Sequence, residues 1–187
     1  MNIKKRHLCN RLLVLVTISL LGYVSEAQEE AFKLPGEVTE QHVMVPMRDG
    51  TLLSVYLYLP KGDGPWPVLL EQRYANARSN GSRIGLASIA QHGYVVALQN
   101  FRGTQLSEGR YVGYRALGWG KQQDGYDTVE WLAKQPFSTG KVGTFGSSQA
   151  GFAQNFLAVT QPPSLKCQYM IDTGLSLFHE GYRIGGT

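Results

Sequence analysis

The chain has 187 residues, 43% hydrophobic and 17% charged, a composition of globular proteins rather than disordered segments. Its formal charge is +4, but four bases (Lys4, Lys5, Arg6, Arg11) and one acid (Glu26) lie in residues 1–27, and the remainder carries 14 basic against 13 acidic side chains. That leaves no basic field for nucleic acid, and Cys167 as the only cysteine, so a small disulfide-stapled module is excluded as well.

Residues 1–27 have the layout of a secretory signal peptide. A basic start precedes the apolar run Leu12–Val24, which is shorter than the roughly 20 residues of a spanning helix. Ser25 and Ala27 then place small residues three and one positions before a cut. Cys9 precedes the apolar run and is not placed as a lipoprotein cysteine. The expectation is export to a periplasmic or extracellular space, with no stable membrane span after cleavage. Residues 28–37 lie in a polar stretch with Pro35-Gly36 and read as a linker, followed by a domain over 38–187.

Val43–Val45 predicts a short strand. Arg48-Asp49-Gly50-Thr51 is a turn, because Asp-Gly supplies the backbone freedom a hairpin needs. Leu52–Leu59 (LLSVYLYL) is the second hairpin strand and Pro60–Pro67 a loop. Val68–Gln72 is a strand, Ser82–His92 a helix that Gly93 ends. Tyr94–Leu98 is a continuous apolar run, as in a strand buried on both faces. Phe101–Gly120 reads as a long Gly-rich loop. Asp124–Lys134 is a helix with Val129, Leu132 and Ala133 on one face, acids in its early turns and Pro136 beyond its end. Lys141–Phe145 is a strand, Gln149–Val159 a helix, Gln168–Ile171 a strand. The alternation after Gly93 predicts an α/β class fold: a mostly parallel sheet with crossover helices and a front β-hairpin.

The junction Gly143–Phe152 (GTFGSSQAGF) places two serines between a strand and a helix. A serine hydroxyl is a poor nucleophile unless it is held exposed beside a base and oxyanion donors. One solution is a strained strand-to-helix turn, which needs small residues two before and two after the nucleophile. Ser148 satisfies this with Gly146 and Ala150; Ser147, flanked by Phe145 and Gln149, does not. A plain Gly-rich connection remains an alternative. A dinucleotide loop with Asp172 as the ribose acid is disfavoured, because glycines at 143, 146 and 151 miss the G-x-G-x-x-G spacing. No G-x-x-x-x-G-K-[ST] loop and no metal-ligand cluster is visible.

Four stretches carry a resemblance: VPMRDGTLLSVYLYLP (45–60), FRGTQLSEG (101–109), DGYDTVEWLAKQPFSTGKVGTFGSSQAGF (124–152) and EGYRIGGT (180–187). In this order they resemble the cocaine-esterase and X-Pro dipeptidyl-peptidase family of α/β-hydrolases, over about 38–187. The resemblance implies a serine hydrolase acting on small-molecule esters, or on aminoacyl or X-Pro amides, through an acyl-enzyme on Ser148. The backbone N–H of Gln149 and the hydroxyl of Tyr74 match the oxyanion donors. No cofactor or metal is implied, and the oligomeric state is not. Asp124 and Asp127 match structural positions. Arg102 and Glu108 match a loop-shaping stretch, read here as an exposed ion pair.

Three positions depart from the family pattern: Asn100 and Tyr56 stand where Asp is usual or frequent, and Gln149 where an aromatic commonly follows the nucleophile. In this fold the acid and the histidine follow the serine, at least two strand units on. Asp172 comes one strand too early. His179 and Glu180 fall in a segment that matches the start of a helical cap, near 176–187. His42 and His92 lie on the hairpin and at a helix end, and His7 lies in the leader. The chain is therefore expected to be the truncated N-terminal portion of the fold, inactive alone, with acid and base beyond Thr187. A non-catalytic binding module is the alternative.

Overall fold

The computed structural model describes residues 32–182; the expected leader, residues 28–31 of the expected linker and residues 183–187 lie outside the described residues. The front hairpin is β1 (Thr39–Pro46) and β2 (Leu52–Leu59), antiparallel, with Val43 opposite Val55. Its turn closes by Gly50 N–H donating to Met47 O and Met47 N–H to Thr51 O, both at 2.9 Å. Gly50 adopts φ +82°, which a Cβ would disfavour. β1 begins four residues before the apolar triplet 43–45. It is an edge strand whose start, Thr39–His42, is polar and therefore leaves no hydrophobic signal.

β3 (Trp66–Arg73) leads through α1 (Asn80–Ala90) to β4 (Val95–Asn100). Ser79 caps α1, its hydroxyl accepting Ser82 N–H at 3.2 Å, and Asn80-Gly81-Ser82 is the first helical turn rather than a loop. The segment after β4 is not wholly irregular: α2 (Arg115–Gly118) is a single turn that buries Ala116 and Leu117. α3 (Asp124–Ala133), β5 (Ser138–Ser147), α4 (Gln149–Ala158) and β6 (Leu165–Ile171) follow, then a wide helical turn over Leu177–Tyr182.

The sheet order is β1-β2-β4-β3-β5-β6, with β4, β3, β5 and β6 parallel and the hairpin joined to them through β2, which runs antiparallel to β4. Alternation sorts the side chains. Leu53, Val55, Leu57, Val95 and Ala97 join Val129, Leu132 and Leu157 in one core; Tyr58, Val96 and Leu98 join Leu86, Ala87 and Ala90 on the other face. All six residues of β4 are buried, which explains why its run reads as continuous hydrophobicity.

The chain leaves β3 for one neighbour, β4, and leaves β5 for the opposite one, β6. Since β3 and β5 are adjacent, their carboxyl ends flank the point where the winding reverses, where open α/β sheets form a crevice.

The Arg102–Glu108 reading is overturned. Arg102 is 4% exposed and pairs with Asp124 and Asp49, not with Glu108. The Glu108 carboxylate instead accepts Leu52 N–H at 3.0 Å. Sequence proximity suggested a local pair; the fold brings Asp124 closer.

Candidate active site

β5 ends at Ser147 and α4 begins at Gln149, so Ser148 alone makes the turn. Its backbone has φ +53° and ψ −115°, a conformation that costs a non-glycine residue roughly 1–3 kcal/mol and persists only where its surroundings enforce it. They do. Ser148 N–H donates to Ile171 O on β6, and Ser148 O accepts Phe152 N–H, both at 3.0 Å. Beneath the turn the buried Gln154 accepts Thr144 Oγ1–H at 2.8 Å and donates to Ala150 O and Tyr169 O at 3.3 and 3.2 Å. One carboxamide thus ties β5, α4 and β6 together.

Crowding explains the small residues. A Cβ on Gly146, whose φ is +144°, would lie 2.5 Å from Ala150 Cβ. A Cβ on Gly151 would lie 2.6 Å from Thr173 Cγ2.

Ser148 occupies the N-cap of α4, where a serine hydroxyl ordinarily accepts a helix N–H; here it makes no such bond. The side chain is exposed, and among the described residues no hydrogen bond ends on its Oγ. The first N–H groups of α4 begin at Gln149, directly after it, and have no intrahelical acceptors.

Tyr74 follows β3 as Ser148 follows β5. Leu70 is paired with Thr144, so the carboxyl ends of β3 and β5, which lead into Tyr74 and Ser148, lie side by side in the sheet. Its ring packs edge-on against Phe101, Tyr111 and Tyr114, with centroids 5.9, 6.1 and 6.2 Å away. Gln149 reaches across: its Oε1 accepts the N–H groups of Tyr74 and Ala75, each at 3.2 Å. Ser148, Gln149 and Tyr74 are thereby brought to one carboxyl edge.

The other candidates are less connected. Asp172 adopts φ +49° after β6 and accepts Ser147 Oγ–H at 3.2 Å; no hydrogen bond joins it to a described histidine. His179 is exposed, its N–H bonded to Ser176 Oγ and its ring edge-on to Phe178. The Glu180 carboxylate accepts Ser176 N–H at 2.7 Å. His42 bonds Ser54 Oγ and stacks on Tyr56, away from the serine turn in the sheet order.

Two features escaped the sequence reading. The buried Glu71 of β3 lies under the turn, its Oε1 3.3 Å from where a Gly146 Cβ would stand. Burial pushes its carboxyl up, against the pull of Arg73. Gln154 was legible as a polar residue on the otherwise small or apolar face of α4 formed by Ala150, Ala153 and Leu157. A cavity of about 210 Å³ runs along α4 beyond the turn, between Phe152, Asn155, Phe156, Val159, Trp119 and Leu175. Among the described residues no group of three His, Cys, Asp or Glu side chains could hold a metal ion, and no helix is long and apolar enough to cross a membrane.

A family model described as X-Pro dipeptidyl-peptidase (S15 family) matches residues 49–187. The chain is similar to a cocaine esterase of Rhodococcus sp. (strain MB1 Bresler), 39% identical over 130 residues, covering 67% of this chain and 22% of that enzyme. Among solved structures it is similar to an α-amino acid ester hydrolase, 30% identical with a TM-score of 0.60, covering 76% of this chain and 27% of the other. It is also similar to an aminopeptidase from a marine sediment Thaumarchaeota archaeon, 27% identical with a TM-score of 0.61, over 76% and 27%. The chain thus spans between 22% and 27% of the length of these relatives.

Proposed function

Because the chain belongs to the X-Pro dipeptidyl-peptidase (S15) family and has an α/β-hydrolase fold, we propose that it carries the nucleophile and oxyanion hole of an exported serine hydrolase. The observation that carries the reading is Ser148: strained, exposed, at a helix N-cap, yet not capping. A serine that gives up a capping bond worth about 1 kcal/mol has its hydroxyl free for chemistry.

In the proposed reaction, Ser148 Oγ attacks the carbonyl carbon of an ester or of an aminoacyl or X-Pro amide, and a histidine takes the hydroxyl proton. The oxyanion sits between Tyr74 Oη–H and Gln149 N–H. The tetrahedral adduct collapses, the leaving alcohol or amine takes the proton, and water hydrolyses the acyl-enzyme. The proposal places the acid and base in sequence beyond residue 187, in keeping with the share of each relative that this chain spans. Neither a metal nor a cofactor enters this scheme.

Treatment of the full polypeptide with a fluorophosphonate probe tests the reading. Covalent labelling that is lost in Ser148→Ala supports it. A folded protein that does not label, or one that labels equally as Ser148→Ala, overturns it. The first of these outcomes would favour a non-catalytic binding module.

A further inference from the structure

We infer that the side chain of Gln149, as distinct from its backbone N–H, is a positioning residue that fixes Tyr74 in the oxyanion hole; the inference rests on the function proposed above.

A carbonyl oxygen has two lone pairs, and Gln149 Oε1 uses both on adjacent backbone donors, Tyr74 N–H and Ala75 N–H, each at 3.2 Å. Two backbone donors at one point demand oxygen there, which fixes the orientation of the amide. The bonds join residue 149, the first of α4, to the loop that follows β3. They span 75 and 74 positions of sequence.

Little else holds that loop segment. Asn100, itself buried, donates from Nδ2 to Ala75 O at a long 3.5 Å. Phe101 N–H donates to Arg73 O at 3.0 Å, just before Tyr74. Tyr74 is 38% exposed, and its ring meets Phe101, Tyr111 and Tyr114 edge-on. Among the described residues, the Gln149 brace is what ties the Tyr74 backbone directly to the residue that bears the other proposed donor. Rotation of Gln149 away from the loop would free two N–H groups and uncouple the two halves of the hole.

A phenyl or indole side chain at 149 could not accept these bonds. Two of the three departures from the family pattern noted above, Gln149 and Asn100, bond to the backbone of the Tyr74–Ala75 segment. Together they supply an acceptor for its N–H groups and a donor for the following carbonyl.

The test uses the full polypeptide with two readouts. Amide hydrogen exchange reads the brace itself: Gln149→Leu should accelerate exchange at Tyr74 and Ala75 at least tenfold, and Gln149→Glu, which keeps an acceptor, should restore protection. Fluorophosphonate labelling reads the consequence. Misplacing a catalytic group by about 1 Å costs on the order of 10²-fold, so Gln149→Leu should slow labelling by about 10- to 100-fold. In a Tyr74→Phe background the same substitution should change labelling less than about threefold, because the hydroxyl it positions is gone. Unchanged exchange at Tyr74 and Ala75 overturns the brace. Faster exchange with unchanged labelling, or an equal loss in the Tyr74→Phe background, overturns the positioning role. If wild type does not label, or Ser148→Ala labels equally, the nucleophile reading falls and takes the positioning role with it. The exchange result still reports whether the brace exists.

Discussion

Arg102 and Asp124 form a buried two-point ion pair, with Nε 2.9 Å from Oδ2 and Nη2 2.6 Å from Oδ1. The same guanidinium reaches Asp49 Oδ2 at 2.8 Å and Thr51 Oγ1 at 2.6 Å. One side chain therefore joins the hairpin turn, the loop after β4 and the start of α3. Hydrogen bonding to Asp124 and Asp49 outweighs burial and keeps the guanidinium cationic.

Removing one partner of such a pair is costlier than the pair is worth, since it strands a charge away from water. Arg102→Met should destabilise the fold by about 3–5 kcal/mol. Arg102→Lys should recover only part of that loss, because an ammonium cannot match two carboxylates and a hydroxyl in one plane. Glu108→Gln, which keeps an oxygen for Leu52 N–H, should cost under about 1 kcal/mol. Urea midpoints at constant m-value check the order. A near-neutral Arg102→Met would show that the three elements hold without this junction.

The serine turn predicts a second asymmetry. Gly146→Ala adds a Cβ 2.5 Å from Ala150 Cβ at a φ of +144°, so both contact and backbone oppose it. Moving Ala150 is no remedy, because its carbonyl carbon is also only 3.3 Å away. Gly146→Ala should abolish labelling of Ser148 and lower stability by roughly 1–3 kcal/mol. Ala150→Gly only removes a methyl group and loses helix propensity, about 0.5–1 kcal/mol, and should keep most labelling. Equal labelling of both variants would mean that the turn tolerates a relaxed geometry.

These two cases show what was legible in the sequence. Ser148 could be chosen over Ser147 because steric rules act on immediate neighbours: Gly146 and Ala150 are two positions away. The parallel sheet was legible because a strand buried on both faces, β4, must be apolar throughout. Arg102–Asp124 and Gln149–Tyr74 were not legible, because each joins segments far apart in sequence through polar atoms that leave no periodic trace. Helix α2 was hidden in a Gly-rich stretch because a four-residue helix is too short to show a period. Nor could the sequence show that Ser148 Oγ forgoes its cap, a matter of one torsion rather than of residue type.

Acid should weaken the hairpin–α1 junction. Burial pushes the Glu40 carboxyl up, but hydrogen bonds from Arg83, Arg78 and Tyr58 outweigh it and hold the group at about 2, below the ordinary 4.5. Arg78 also stacks over Tyr56, 3.7 Å from its ring centroid. A carboxyl lowered in the folded state binds fewer protons there than in the unfolded chain. Its stabilisation is complete above about pH 4.5 and is lost as pH falls through about 2. Glu40→Gln should therefore be less stable than wild type at pH 7, with the gap closing between about pH 4.5 and 2. Denaturation at a series of pH values would measure it, and a gap independent of pH would refute the assignment. Asp49, also held at about 2 chiefly by Arg102, lies half-exposed and titrates over the same window, so the comparison requires the wild-type curve as its baseline.

Tyr74 separates packing from chemistry. Its ring meets Phe101, Tyr111 and Tyr114 edge-on, and Tyr114 stacks on Phe156 of α4 at 5.2 Å. Tyr74→Phe keeps all three edge contacts and removes only the hydroxyl, so the melting temperature should move by no more than about 2 °C. If the hydroxyl is an oxyanion donor, labelling and turnover should nonetheless fall by about 10²- to 10³-fold, through kcat rather than KM. Tyr74→Ala should lose a similar factor in rate and, in addition, about 1 kcal/mol or more from the lost aromatic contacts. A Phe variant with undiminished rate would assign Tyr74 to the aromatic wall alone, leaving the second donor to another N–H at the N-terminus of α4. A Phe variant that loses rate and stability together would mean that the hydroxyl holds the loop rather than the oxyanion.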